Sequence, residues 1–106
     1  MQANLVYPPE KIGQRELLVA NGTGPKSYSQ TTGDAILLPP GLYIDHVASG
    51  GLSVSKTYYV RAYPSALGGR AAWTFKWYVT ATGAEVANAV DLSAESVQYV
   101  MIGGEF

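Results

Sequence analysis

Side chains that could do chemistry are few and widely spaced in this chain of 106 residues. Its single histidine, His46, directly follows Asp45, and neighbouring side chains of a strand point to opposite faces, so the two cannot pair as a base and its orienting acid. There is no cysteine, and the eight Asp and Glu residues stand singly along the sequence. Metal ligation needs a cluster of such groups. We therefore predict no catalytic residue, no metal site and no cofactor, although two carboxylates could still meet from distant strands for glycosidase chemistry.

The segment GTGPKS, residues 22–27, is the nearest approach to a phosphate-binding loop. That motif requires a glycine directly before the lysine, and Pro25 stands there instead and removes a backbone donor. The net charge of −1, with 14% charged residues, also argues against nucleic acid, whose binders carry a basic stripe. Because the sequence has neither an apolar run of membrane-spanning length nor a basic, apolar leader, we expect synthesis in the cytoplasm and no membrane contact.

Glycine and proline interrupt the sequence at short intervals, which is typical of an all-β domain. Seven strands are predicted, at residues 15–20, 34–38, 42–48, 52–63, 73–79, 84–90 and 97–102. Their spacing of about 8 to 12 residues favours a single antiparallel sandwich or barrel. Residues 84–97 could instead form a helix by composition, and a strand over 84–90 is the preferred interpretation.

Residues 1–14 are predicted to form an extended N-terminal arm, and residues 15–106 the single β domain. Pro8 and Pro9 hold the chain extended and provide no donors for a central strand. The apolar residues Leu5, Val6 and Tyr7 precede them. An arm of this kind is expected to lie across a partner, and the alternative is that it folds back onto its own domain.

The stretch WTFKWYV, residues 73–79, places its large apolar side chains on one face of a strand. That row consists of Trp73, Phe75, Trp77 and Val79. It could be a core or an open platform for a sugar, and we predict a core because no other row is heavy enough to anchor one. The opposite face, with Lys76 and Tyr78, is then outward beside the preceding strand. The residues predicted to bind a partner are Leu5, Val6, Tyr7, Pro8, Pro9, Tyr59, Arg61, Tyr63 and Tyr78.

Two resemblances bear on the fold and the function. SKTYYVRAY, residues 55–63, is similar to the Tyr-x-Val-x-Ala strand of fibronectin type III modules, which supports a sandwich and implies no function. With eight Tyr, 12 Gly, little charge, an arm and no catalytic motif, the whole chain resembles the head decoration proteins of tailed-bacteriophage virions. The resemblance implies a non-enzymatic virion protein that binds and stabilises an assembled capsid.

That resemblance also implies the partners and the location of the protein. The partners would be the major capsid protein or other virion subunits, with a homo-oligomer, a dimer or trimer, on the lattice. The protein would be made in the host cytoplasm and reside in the virion. Two alternatives remain open: a carbohydrate-binding β-sandwich module, which needs an exposed Trp row, and another virion part such as a tail or head-completion protein.

Overall fold

Short strands dominate the computed structural model, which describes residues 1–65 and 73–105 except for the side chain of Ser49. In these ranges there are eight strands. They are β1 (Asn4–Leu5), β2 (Glu10–Ile12), β3 (Arg15–Thr23), β4 (Asp34–Ala35), β5 (Leu42–Ser49), β6 (Tyr58–Pro64), β7 (Trp73–Val79) and β8 (Ser96–Glu105). No helix that could cross a membrane occurs among the described residues.

The strands form two antiparallel sheets. The five-stranded sheet has the order β1-β3-β8-β5, and β2 pairs with the same edge of β3 as a continuation of β1. The three-stranded sheet has the order β4-β7-β6. The all-β prediction is thereby confirmed, and the described strands form two separate sheets rather than one closed sheet.

The core lies between the two sheets and follows from alternation along the long strands. In β3, Leu18 and Ala20 are fully buried, while Leu17 and Val19, which alternate with them, are only half-buried. Across the core, Phe75 of the smaller sheet meets Tyr99 of β8 edge to face, with ring centroids 4.9 Å apart. Packing of one sheet on the other therefore depends on aromatic contact as well as on aliphatic burial.

The predicted core row of β7 is confirmed at its centre. Phe75 and Trp77 are completely buried, and Trp73 and Val79 at the strand ends are half-buried against the same core. A solvent-exposed, flat row of Trp side chains is therefore not formed.

Three predicted strands need correction. The strand predicted at 34–38 is only Asp34–Ala35. The strand predicted at 52–63 begins at Tyr58, because residues 53–56 form a turn in which the Lys56 amide donates to the Ser53 carbonyl at 2.9 Å. Residues 84–90 are not a strand, apart from an isolated bridge at Glu85. Their backbone instead pairs with a loop: the Tyr28 amide donates to the Val90 carbonyl at 3.0 Å.

The N-terminal segment is not the projecting arm that the sequence predicted. Asn4 lies opposite Asn21 and Glu10 opposite Leu17, so the segment forms the outer edge of the larger sheet. Ala3 is buried, and the Met1 ammonium group binds the Asp34 carboxylate in the interior. Pro8 and Pro9 are accommodated because they fall in the gap between β1 and β2, where no ladder donor is needed. The alternative, an arm folded onto its own domain, is the one observed.

Candidate interaction surfaces

The outer face of the smaller sheet brings four of the predicted partner-binding residues together. In the β6–β7 register, Tyr59 lies opposite Tyr78 and Arg61 opposite Lys76. Since every second residue of a strand points to the same side, Tyr63 shares this face with them. We call this set the tyrosine face: Tyr59, Arg61, Tyr63, Lys76 and Tyr78.

The aromatic rings of the tyrosine face contact one another closely. The rings of Tyr59 and Tyr78 stack, with centroids 5.2 Å apart and planes inclined by 18°. The hydroxyl groups of Tyr63 and Tyr78 are hydrogen-bonded at 3.0 Å, and the Lys76 Nζ lies 5.7 Å from the centroid of the Tyr63 ring. These contacts fix the side chains in one arrangement, so that less rotamer entropy is lost when a partner binds.

Burial affects the ionisation of one phenol of this face, that of Tyr78. Burial, followed by the hydrogen bond with Tyr63, raises the pKa of Tyr78 to about 12. The Tyr78 hydroxyl therefore remains neutral at physiological pH. A hydrogen-bonded pair of hydroxyls uses one proton in its shared bond, and the other proton is left to donate outward.

The two cations of the face are side by side. Arg61 is exposed, lies directly across the ladder from Lys76, and forms no ion pair with any described residue. Like charges in directly opposite positions of an antiparallel pair are destabilising. The nearby acid, Glu85, accepts a hydrogen bond from the Tyr28 hydroxyl at 2.8 Å instead of pairing with either cation.

A groove of about 450 Å³ adjoins the tyrosine face. Tyr59 and Arg61 line it together with Gly50 and Gly51. The remaining lining residues are Val47, Val60 and Ala62. Both glycines lie close to neighbouring backbone, because a Cβ atom would meet the Val60 carbonyl oxygen at Gly50 and the Gln98 carbonyl oxygen at Gly51.

The N-terminal residues Val6–Pro9 form a second candidate surface, which we call the strap. The register steps from Leu5 opposite Ala20 to Glu10 opposite Leu17, so that four strap residues span two residues of β3. The strap therefore arches away from the sheet and leaves a groove of about 510 Å³. This groove is lined by Tyr7, Pro8, Pro9, Glu10, Leu17 and Val19.

Two large side chains of the strap are exposed to solvent. Tyr7 is 62% exposed and Val6 is 39% exposed. Leu5, the remaining member of the predicted N-terminal set, is half-buried against the core and is mainly a structural residue. Leu17 and Val19 were not predicted as site residues, because alternation alone does not tell which side of a sheet the preceding segment crosses.

The two residues considered for catalysis, Asp45 and His46, contact different side chains. Asp45 binds Arg15 at 2.6 Å, and His46 contacts the edge of Trp73, with ring centroids 5.4 Å apart. The two neighbours therefore have different partners. Within residues 1–65 and 73–105, His, Asp and Glu side chains form no group of three or more that could hold a metal ion.

Comparison with known proteins identifies no relative of this chain. No family model matches the sequence, and no curated protein or solved structure is significantly similar to it. The interpretation of its function therefore depends on the two surfaces described above.

Proposed function

We propose that this protein is a non-enzymatic structural protein that binds a larger protein assembly through the tyrosine face. The assembly that its composition suggests is the capsid of a tailed bacteriophage, on which the protein would act as a decoration subunit with a sandwich-like scaffold. A decoration subunit stabilises a lattice by mass action, because it binds the assembled capsid subunits and not the separated ones.

The observation that carries the proposal is the preassembled aromatic and cationic cluster on the tyrosine face. Tyr and Arg are enriched among the residues that dominate binding energy at protein interfaces. Here Tyr59, Tyr63 and Tyr78 are held against one another by stacking and by a hydroxyl–hydroxyl bond. A cluster of this kind on the outside of a sheet is suited to contact with a partner molecule.

The strap supports the same interpretation as a secondary contact. Its exposed Tyr7 and Val6 present apolar area next to a groove that could receive a neighbour's side chain. A homo-oligomer on the lattice, a dimer or trimer, would place one of the two surfaces against the capsid and the other against a like subunit.

A carbohydrate-binding module is less well supported. Such a module would bind sugar on an exposed row of Trp side chains. The centre of that row, Phe75 and Trp77, is buried. The alternative of a tail or head-completion protein relies on the same kind of surface, and only its location on the particle distinguishes it from a decoration protein.

Locating the protein on intact particles tests the proposal. Antibody labelling under the electron microscope should place it on the outer capsid surface, and Tyr59→Ala with Tyr78→Ala should reduce its affinity for particles by at least about tenfold. Gln98→Ala, an exposed change on β8, is the matched control and should leave binding unchanged. Absence of the protein from particles, or full binding by the double variant, would refute the proposal.

A further inference from the structure

We propose that the tyrosine face binds an acidic, extended segment of a partner protein, whose carboxylates lie on Arg61 and Lys76. This inference deepens the proposed function and rests on it, because it specifies the chemistry of the partner at the same surface. Its basis is the local charge and donor pattern of the face together with the adjoining groove.

The first argument is charge complementarity. Two other cations of the chain are neutralised by ion pairs, Lys11 with Glu16 at 3.1 Å and Arg15 with Asp45 at 2.6 Å. Arg61 and Lys76 instead face each other across the ladder and have no carboxylate partner among the described residues. In a chain with only seven Lys and Arg residues, an adjacent pair of unneutralised cations favours an anionic ligand.

The second argument is the donor chemistry around those cations. The Tyr63–Tyr78 hydroxyl pair retains one proton to donate outward. A carboxylate accepts hydrogen bonds and offers none, so it satisfies both the cations and the phenols. A basic or neutral partner would leave the Arg61–Lys76 repulsion in place.

The third argument is shape, which favours an extended chain over a free ion. The groove beside Tyr59 and Arg61 is also lined by Gly50 and Gly51, and the Gly51 carbonyl accepts a hydrogen bond from the Val60 amide of β6 at 3.0 Å. An extended segment lying along it would place alternate side chains on the face, since successive residues point to opposite sides. Because Arg61 and Lys76 lie directly opposite each other across the ladder, an acidic side chain placed beside Arg61 would reach both cations. The stacked pair of Tyr59 and Tyr78 would cover the segment's apolar atoms.

Nuclear magnetic resonance titration of the labelled full chain tests this inference. The probe is a short synthetic peptide of alternating Glu and Thr, and the matched peptide has Gln in place of Glu. With the Glu peptide, amide shifts are expected in β6, β7 and residues 50–51, and they should weaken as salt is added. The Gln peptide should produce no more than about a tenth of that affinity.

Variants assign the effect to the two cations. Arg61→Gln and Lys76→Gln should each weaken peptide binding about threefold to fivefold, and together at least about tenfold. Arg15→Gln removes the same charge where Asp45 already neutralises it, so binding should stay within about twofold. The isolated double variant should unfold at the same or a higher denaturant concentration than the parent, because a repulsion has been removed.

Several results would overturn the inference: shifts located elsewhere, equal binding of the Gln peptide, or equal shifts with inorganic phosphate at matched ionic strength. Tighter binding of a single-stranded oligonucleotide would overturn it too. The proposed function can be refuted independently of the acidic partner. A protein found on particles that ignores the Glu peptide refutes only the acidic partner, whereas peptide binding by a protein absent from particles refutes only the virion role.

Discussion

The indole N–H of Trp77 donates to a carboxylate oxygen of Asp34 at 3.0 Å, inside the core. This bond reinforces the pairing of β7 with the short strand β4, in which Asp34 is 5% exposed. The other carboxylate oxygen binds the Met1 ammonium group. A single buried acid therefore ties the N-terminal segment, β4 and β7 together.

Replacing Asp34 should destabilise the fold in graded steps. Asp34→Ala leaves both donors without their acceptor and should cost about 3 kcal/mol or more in the free energy of unfolding. Asp34→Asn keeps an oxygen for the indole but loses the charge that faces the ammonium, and should cost about 1 to 3 kcal/mol. Denaturant melts measure both, with the exposed Asp91→Asn as control. Equal melts for Asp34→Ala and Asp91→Asn would contradict the assignment.

Truncating the centre of the core row should have a large effect. Trp77→Ala should cost about 3 to 5 kcal/mol, because it loses transfer free energy and leaves a cavity between the sheets. Lys76→Ala, the neighbouring residue on the outer face, loses only a cation–π contact and should change stability by less than about 1 kcal/mol. If chemical denaturation finds the two variants equally stable, the assignment of the two faces of β7 is wrong.

The alternation of side chains in the sequence was sufficient to predict which residues of β6 and β7 lie on each face of the smaller sheet. WTFKWYV predicted that Phe75 and Trp77 are buried, and the spacing of Tyr59, Arg61 and Tyr63 predicted that they share the outer face with Tyr78. Those predictions needed only the period of a strand. The pairing of one strand with another could not be predicted in this way, because it depends on contacts between distant parts of the chain.

The N-terminal segment and residues 84–90 were mispredicted for that reason. Pro8-Pro9 correctly excluded a continuous strand, yet short strands on either side still pair with β3. Val86 looked like a strand residue, and its amide does donate to the Trp77 carbonyl of β7, but residues 89 and 90 pair with the Tyr28 loop instead of continuing a strand. The two grooves also escaped prediction because each is bordered by residues far apart in sequence, such as Tyr7 and Val19.

Gly103 is expected to tolerate no side chain. A Cβ atom there would overlap the backbone carbonyl of Tyr43 on the neighbouring strand β5, and backbone atoms cannot move aside without breaking the ladder. Gly103→Ala should therefore cost more than about 2 kcal/mol. Thermal melts against Gln98→Ala, an exposed change on the same strand, provide the check. A Gly103→Ala protein as stable as this control would show that the β5–β8 contact is looser than described.

Alkaline titration should reveal the Tyr63–Tyr78 bond. A phenol whose pKa is raised on folding stabilises the folded state below its unfolded pKa of about 10. That contribution is lost as the pH rises through the folded pKa of Tyr78, about 12. Tyr63→Phe removes one of the causes of the shift, so Tyr78 should ionise at a lower pH, as followed by phenolate absorbance. Tyr7→Phe, which removes a tyrosine outside the pair, should leave the high-pH ionisation in place. An unchanged titration of Tyr78 in the Tyr63→Phe protein would contradict the hydrogen bond.

Deleting residues 1–9 should unfold or strongly destabilise the domain, which is the opposite of what a projecting arm would show. The deletion removes buried Ala3, the Leu5 side chain that packs on the core and the ammonium group that binds Asp34. Together these losses should cost at least about 3 kcal/mol and lower the melting temperature by about 10 °C or more.

The strap's part in binding is separable from its part in folding. Val6→Ala with Tyr7→Ala leaves the pairing of β1 and β2 with β3 intact and removes only exposed side chains, so the melting temperature should stay within a few degrees. If the strap contacts a neighbour on the assembly, this double variant should bind particles several-fold more weakly than the parent. A truncated protein lacking residues 1–9 that melts like the parent would instead restore the projecting arm. A fully binding Val6→Ala, Tyr7→Ala protein would argue against a strap contact and favour the tyrosine face alone, because Val6 and Tyr7 are the strap's large exposed side chains.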